Sequence, residues 1–590
     1  MGPRSRVGTV WVVLLAVLAL GACAGLPTDT TPRPGQPVLG QPRPGPQARP
    51  EAPRPDASQE EIVRGFLLAN VGFVDSHDVA RDYLTDDLAA SWVPTDNVVV
   101  HDGDYELDSV DAGVIEVSAD VRGLLDEEGQ LSELPEGNRR SVEFGLTLVS
   151  GEWRIEEFPD DFGLWLSATD FELQFRTASV AYLSPVRDVF VPDVRWFPRD
   201  DGLPTALSRA LLEPVPDYLD GAVVTAVTED MELVAGAVPV DSATATAVVN
   251  LRGPGLSDDT DRARRLWAQF TRTLTQAGGV RRVDLQINGQ SVMVPGVDGP
   301  VESAEDLGFT EVDPSVEYAL LRVQDQLTLV DPDDYALRSV PPGTEGLPEV
   351  PDVPVRWQSL ATDPDIAQLA GVSADRATLW RWRDGEEVER PEIGVGLTDP
   401  VFDRLGSLWL AGRSATGSRV WALDAGGSLD TVARRIEVEW LGEDLVIEKL
   451  RVAPDGQRVV LEIWDPTSGT HELALSGVVR DSDGRPRALK EPRPVAGVLD
   501  TVSSLAWTST TSLVVLGQRA EDDGPTPFQV PLGSWVTSVR AEPGAVQLRA
   551  APQQEGYEMF LVTVAGEIFT LEGAGWFSYR NGDDLVIPAG

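Results

Sequence analysis

Residues 449–478 read KLRVAPDGQRVVLEIWDPTSGTHELALSGV. A short apolar stretch runs into Pro454-Asp455-Gly456, three residues whose backbone preferences make a turn. An aliphatic run at 459–463 follows, then a polar turn through Gly469, then a third run at 471–476. Short apolar runs divided by such turns are the mark of antiparallel strands. The same order recurs in 359–386 (SLATDPDIAQLAGVSADRATLWRWRDGE), in 400–427 (PVFDRLGSLWLAGRSATGSRVWALDAGG), in 504–532 and in 538–566. The starts lie roughly 34 to 55 residues apart, which suits four-stranded blades with unequal loops. Residues 320–337 add an earlier blade, and 576–590 (WFSYRNGDDLVIPAG) can close the ring. The pattern predicts a β-propeller of about six blades over 317–590. A pair of β-sandwiches is the alternative, and the repeat argues against it.

Trp357, Trp380, Trp382, Trp409, Trp421, Trp440, Trp464 and Trp507 fall mostly on these strands and are read as packing between blades rather than as a sugar platform. Asp331-Pro-Asp333-Asp334 and Asp481-Ser-Asp483-Gly484 invite a calcium reading. Neither continues to a distal Glu at the required spacing, so both are read as solvated turns.

Upstream, 178–300 reads as an α+β unit. Strands are expected at 180–183, 189–194, 222–227, 231–234 and 245–250. A helix is expected over 205–212, ended by Pro214. A second helix over 258–277 carries Ala263, Leu266, Trp267, Phe270 and Leu274 on one face. Asp258, Asp259 and Asp261 at its start are read as helix capping, not as metal ligands. Val283, Leu285 and Ile287 then alternate into Asn288-Gly289, a hairpin turn. The segments SVAYLSPVRDVFVPDVRWFP, ALSRALLEPVPDYLDGAV and TRTLTQAGGVRRVDLQINGQSV resemble the GerMN domain of exported bacterial proteins. That resemblance brings no catalytic residues with it.

Residues 58–177 open on a capping box, Ser58 with Glu61, and a short helix bearing Ile62, Phe66 and Leu67. A helix at 76–83, a helical turn within 84–92 and strands at 97–100, 114–120, 142–149, 152–158 and 171–176 predict an α+β roll. VEFGLTLVSGEWRIEEFPDDFG resembles the last hairpin of a nuclear-transport-factor-like cone. His77 and His101 are expected as surface or capped histidines.

The N-terminus has a different composition. Arg4 and Arg6 precede an uncharged run at 10–20 and then Gly21-Ala22-Cys23. That run is too short to span a bilayer, which takes about 20 residues. Basic residues, an apolar run and small residues make a signal peptide over 1–22. The ending resembles a bacterial lipobox, with cleavage between Ala22 and Cys23 and a diacylglycerol and an acyl chain on Cys23, the chain's sole cysteine. Residues 23–57 are then a lipidated, proline-rich tether with an upper reach of roughly 100 Å in polyproline II.

The net charge is −47; residues 1–57 carry +3, six Arg against Asp29, Glu51 and Asp56, so the remainder carries −50. Such a body repels phosphate backbones, which excludes nucleic acid as a partner. No G-x-S-x-G, H-E-x-x-H, P-loop or G-x-G-x-x-G motif is present. With three histidines and the thiol assigned to lipid, no catalytic residue, metal site or cofactor is expected. A carboxylate-pair hydrolase stays open as an alternative, without a pair to select.

Signal peptide, tether, roll, GerMN domain and propeller, in this order, resemble the actinobacterial LpqB lipoprotein family. The resemblance implies a lipid-anchored protein on the extracytoplasmic face of the cell membrane. It also implies a partner, the extracellular sensor region of an MtrB-like histidine kinase, and a role in MtrAB two-component signalling in cell division and wall homeostasis. A cell-wall polymer-binding lipoprotein is the other reading. The partner-binding residues are not assigned by either.

Overall fold

The computed structural model describes residues 50–590 except 72–76, 96, 257, 335, 342, 345–346, 416 and 589–590. The N-terminal roll starts with helix Gln59–Ala69, where Ser58 Oγ accepts from Glu61 N and the Glu61 carboxylate accepts from Ser58 N. Two donors at the helix start are thereby satisfied reciprocally. The helix buries Ile62, Val63, Phe66 and Leu67 against a curled sheet. Its strands run in the order Glu152–Glu157, Arg139–Val149, Val114–Leu125, Val98–Asp111, Leu164–Ser167, with only the last pair parallel. Phe66 lies at the centre, 5.3 to 6.1 Å from the rings of Trp92, Phe144, Phe158 and Phe162.

Several expectations are corrected here. The strand expected at 171–176 is helix Ala168–Gln174, because Ser167 Oγ caps Asp170 N; the strand begins only at Phe175. His77 and His101 are both buried: His77 meets the Trp92 ring edge-on, and His101 Nδ1 bonds Gly103 O at 3.1 Å. The tether expected through 57 touches the body earlier. Tyr83 Oη donates to Glu51 O at 2.7 Å, and Asp56 N donates to the Glu152 carboxylate at 3.0 Å.

In the middle domain, strands Phe175–Leu183 and Phe190–Pro198 pair antiparallel. Strands Thr246–Arg252 and Arg282–Ile287 pair parallel. Helix Thr260–Leu274 packs between them, and Asp259 caps it by accepting from Arg262 N, as the sequence suggests. Asn288 and Gly289 both take positive φ, as the two-residue hairpin turn requires. The strand expected at 222–227 is reduced to a single antiparallel bridge of Val224 with Leu183. Beyond that bridge the Gln269 side chain joins the two stretches, accepting from Ala226 N at 2.8 Å and donating to Ala181 O at 2.9 Å. Of 231–234, only Glu232–Leu233 pairs.

The C-terminal domain is a propeller of six blades. Five are consecutive four-stranded meanders, from Trp357–Thr362 in blade 2 to Gly575–Asn581 in blade 6, with an added short strand in blade 4. Blade 1 joins both ends of the domain: Ala319–Val323 and Gln326–Val330 receive Asp584–Val586, pairing Leu320 with Val586 and Arg322 with Asp584. Ring closure removes the open edge that a linear array would expose. Trp357, Trp380, Trp409, Trp421 and Trp507 are buried, as expected of packing within and between blades.

Removing residues 584–590 deletes the buried Leu585, Val586 and Ile587 and strips Ala319–Val323 of a partner. At about 1.5–3 kcal/mol per buried side chain, this approaches the whole stability of a domain. The truncated chain is expected to lose the propeller's cooperative thermal transition in far-ultraviolet circular dichroism; an unchanged transition contradicts the closure.

Candidate functional site

The strand Phe190–Pro198 (FVPDVRWFP) is buried along nearly its whole length although it belongs to a two-stranded sheet. The other two domains cover it. Trp196 Nε1 donates to Gly533 O of the propeller at 2.6 Å, while its backbone N donates to Gly129 O of the N-terminal roll at 2.8 Å. A Cβ on Gly129 would stand 2.5 Å from Trp196 O, so that contact needs the glycine. Trp535 of the propeller completes the roll's core beside Phe171, under the Arg122 guanidinium at 4.4 Å. The middle domain and blades 4 and 5 share one apolar core, in which Tyr182, Leu207 and Phe270 are continuous with Val460, Leu475 and Trp507.

Charge is buried in this junction. Asp193 and Arg195 are almost fully enclosed and pair at 2.7 Å. Tyr218 Oη donates to Asp193 Oδ1 at 2.7 Å, and Gln130 Nε2 reaches the same oxygen at 3.4 Å. Arg493 of blade 4 donates to Gln130 and covers the Tyr218 ring at 4.8 Å. Burial opposes the Arg195 charge, but Asp193, Tyr182 and Glu213 together outweigh it and the guanidinium pKa is raised. Burial, with the Asp193 charge adding to it, also raises the Tyr218 phenol. On the propeller side, Arg458 donates to Pro192 O at 2.9 Å while paired with Asp455. Gln457 Nε2 donates to Ser184 Oγ at 3.0 Å.

Beside this junction lies a cleft of about 420 Å³ between the roll and blade 5. Arg122 and Arg519 line it together with Asp102, Asp120, Glu133 and Asp500. Burial raises the Glu133 carboxyl, although Val536 N donates to it at 2.9 Å. Its volume falls in the range of small-molecule sites. The propeller axis, by contrast, is plugged. A cavity of about 30 Å³ remains there, little more than a water. Asp399 accepts from Arg376 at 2.8 Å and from Arg451 at 3.4 Å, and Asp584 pairs with Arg549 at 3.0 Å. Burial works against ionisation of Asp399, but the two guanidinium groups prevail and hold its carboxyl well below the usual range.

Of the residues singled out in the sequence, Ala22 and Cys23 lie outside the described residues. Among those described, no helix is long and apolar enough to cross a membrane. Asp331 and Asp481 cap their own turns through backbone N–H groups, those of Asp333 and of Asp483 and Arg485. The junction residues were missed in the sequence, where their only signal is an Asp and an Arg inside the apolar run FVPDVRWFP. The fold also sets His471, one of the chain's three histidines, against Glu448 and Glu462.

Three family models match the chain: "Lipoprotein LpqB, N-terminal domain" over residues 52–172, "Sporulation and spore germination" over 176–293 and "Lipoprotein LpqB beta-propeller domain" over 329–589. Similar curated proteins include the Lipoprotein LpqB of Cutibacterium acnes, 26% identical with 88% of each chain covered. That of Thermobifida fusca is likewise 26% identical with 88% of each covered. That of Streptomyces coelicolor is 26% identical, covering 88% of this chain and 87% of its own.

Asp193→Asn removes the buried counter-ion of Arg195 and leaves only the exposed Glu213, and is expected to cost about 3–5 kcal/mol in urea unfolding. Glu213→Gln, which removes Arg195's exposed second partner, is expected to cost less than about 1 kcal/mol. Equal costs contradict the assignment. The native Asp399 pKa lies below that of the unfolded chain, so its contribution is fully present above about pH 4 and shrinks as pH falls toward the native value. The stability gap between wild type and Asp399→Asn is therefore expected to be constant from pH 8 to 5 and to narrow below 4. A gap that widens on acidification contradicts this.

Proposed function

The chain belongs to the LpqB lipoprotein family, and from that premise we propose that it is a non-enzymatic binding platform held at the outer face of the cell membrane by lipid on Cys23. Its partner in this reading is the extracellular sensor region of an MtrB-like histidine kinase, through which it tunes two-component signalling. The observation that carries the reading is the junction: three domains are locked into one body by shared cores and the buried Asp193–Arg195–Tyr218 group. Such a body presents fixed surfaces and has no evident hinge between its domains, which suits a protein that binds and orients a partner.

The chemistry of the site supports binding over turnover. His77 and His101 belong to the packing of the roll, and the propeller axis is filled by ion pairs. The lipid assignment uses the only thiol. The body's negative charge is repelled by an anionic lipid surface, keeping the platform off the bilayer. Because the chain is already seated on the roll at Glu51, the tether proper is residues 24–49, with an upper reach of roughly 80 Å.

Two outcomes check this. Cys23→Ala is expected to abolish fatty-acid labelling and membrane retention, since stable anchoring takes two acyl chains; unchanged labelling overturns the anchor. Photo-crosslinking in cells, from probes on each of the three domains, is expected to capture the kinase sensor region. Capture of wall polymer alone replaces the signalling reading with the polymer-binding one.

A further inference from the structure

The blade 4 strands Val446–Val452, Arg458–Asp465 and Thr470–Arg480 bring together three residues that sequence spacing keeps apart. The pairing of Ile447 with Ile463 and of Lys449 with Glu462 leaves Glu448 as an extra residue, a bulge. Bulges re-aim side chains, and this one turns Glu448 toward the neighbouring strands. Trp464 pairs with His471 across the next two strands, and its ring stacks on the imidazole at 6.3 Å and 23°. The imidazole is thereby held with Nδ1 facing two carboxylates, 3.2 Å from Glu462 Oε1 and 3.7 Å from Glu448 Oε2. All three ligand atoms lie within 4.8 Å of one another.

We propose that Glu448, Glu462 and His471 form a zinc site with one open coordination position. A tetrahedral ion with ligands at about 2.0–2.2 Å separates them by roughly 3.3–3.6 Å, and the two observed distances bracket that range. One imidazole nitrogen with two carboxylate oxygens is a donor set that zinc accepts, and three protein ligands with an open fourth place is the arrangement of reactive or shared zinc sites. Glu462 is buried, and its other oxygen, Oε2, pairs with Lys449 Nζ. Lys449 keeps that carboxylate compensated without the ion, and it leaves Oε1 for the metal. Glu448 is exposed and His471 half-buried, so the open position faces solvent, where a water or a ligand from a partner surface completes the shell. Lys449 is also the site's built-in competitor: its positive charge beside Glu462 weakens any bound cation.

Zinc chloride titrated calorimetrically into the full chain in detergent is expected to show one saturable site. His471→Ala is expected to abolish it, and Glu448→Gln to weaken it roughly tenfold or more. Lys449→Met, which removes the competing ammonium, is expected to tighten it by roughly tenfold. Asp481→Asn, on an exposed acidic turn of the same blade, is expected to leave it unchanged. Thermal melts of each variant report that the propeller is intact. No saturable binding by the wild type, binding that survives His471→Ala in a folded variant, or weaker binding by a folded Lys449→Met overturns the site.

Discussion

The Asp193 carboxylate is shut away from water where the three domains meet, and the groups that satisfy it there tie the seam together. A buried carboxylate is costly unless it is paired and its lone pairs are used. Arg195 supplies the charge, Tyr218 a short hydrogen bond, and Gln130, itself held by Arg493, a further donor. Arg195 and Tyr218 satisfy the carboxylate from within the middle domain, and Gln130 of the roll and Arg493 of the propeller carry the same network across the seam. Buried ion pairs add little to net stability, and this one is complete within its own domain; docking adds the Gln130 and Arg493 contacts, which fix where the roll and the propeller sit on it.

Apolar packing then supplies the affinity that the ion pair does not. Trp196 and Trp535 close the roll's core from the neighbouring domains, and the middle domain's core runs without a break into blades 4 and 5. Domains joined by small polar contacts move relative to one another by default. Here the contact is a core, and Gly477 shows how close it is: a Cβ there would sit 2.4 Å from Tyr218 O. A partner that binds one domain therefore acts on the whole body.

The blades were legible because each strand's apolar run is local and its turns carry Asp, Pro and Gly at the positions the backbone needs. The capping box at Ser58, the Asp259 cap and the Asn288-Gly289 turn were legible for the same reason. Misreadings arose where a single local interaction or a distant partner decided the outcome. Ser167 starts a helix inside a strand-like stretch, and along 222–227 a single bridge and the Gln269 side chain stand in for a strand. The junction and the Glu448–Glu462–His471 group were beyond local reading. The first depends on how three domains pack, and the second on strand register and one bulge. A Glu inside the run VVLEIW was the one visible trace of the latter.

The most direct test of the single-body account is a distance between domains. Leu148 in the roll and Val432 in blade 3 are exposed, and under the proposed lipidation of Cys23, the sole cysteine, no other thiol competes for label. Pulsed electron–electron resonance between spin labels at Leu148→Cys and Val432→Cys is predicted to give one narrow distance distribution, unchanged on membrane anchoring. A broad or two-peaked distribution would mean that the domains move independently, and would contradict the account.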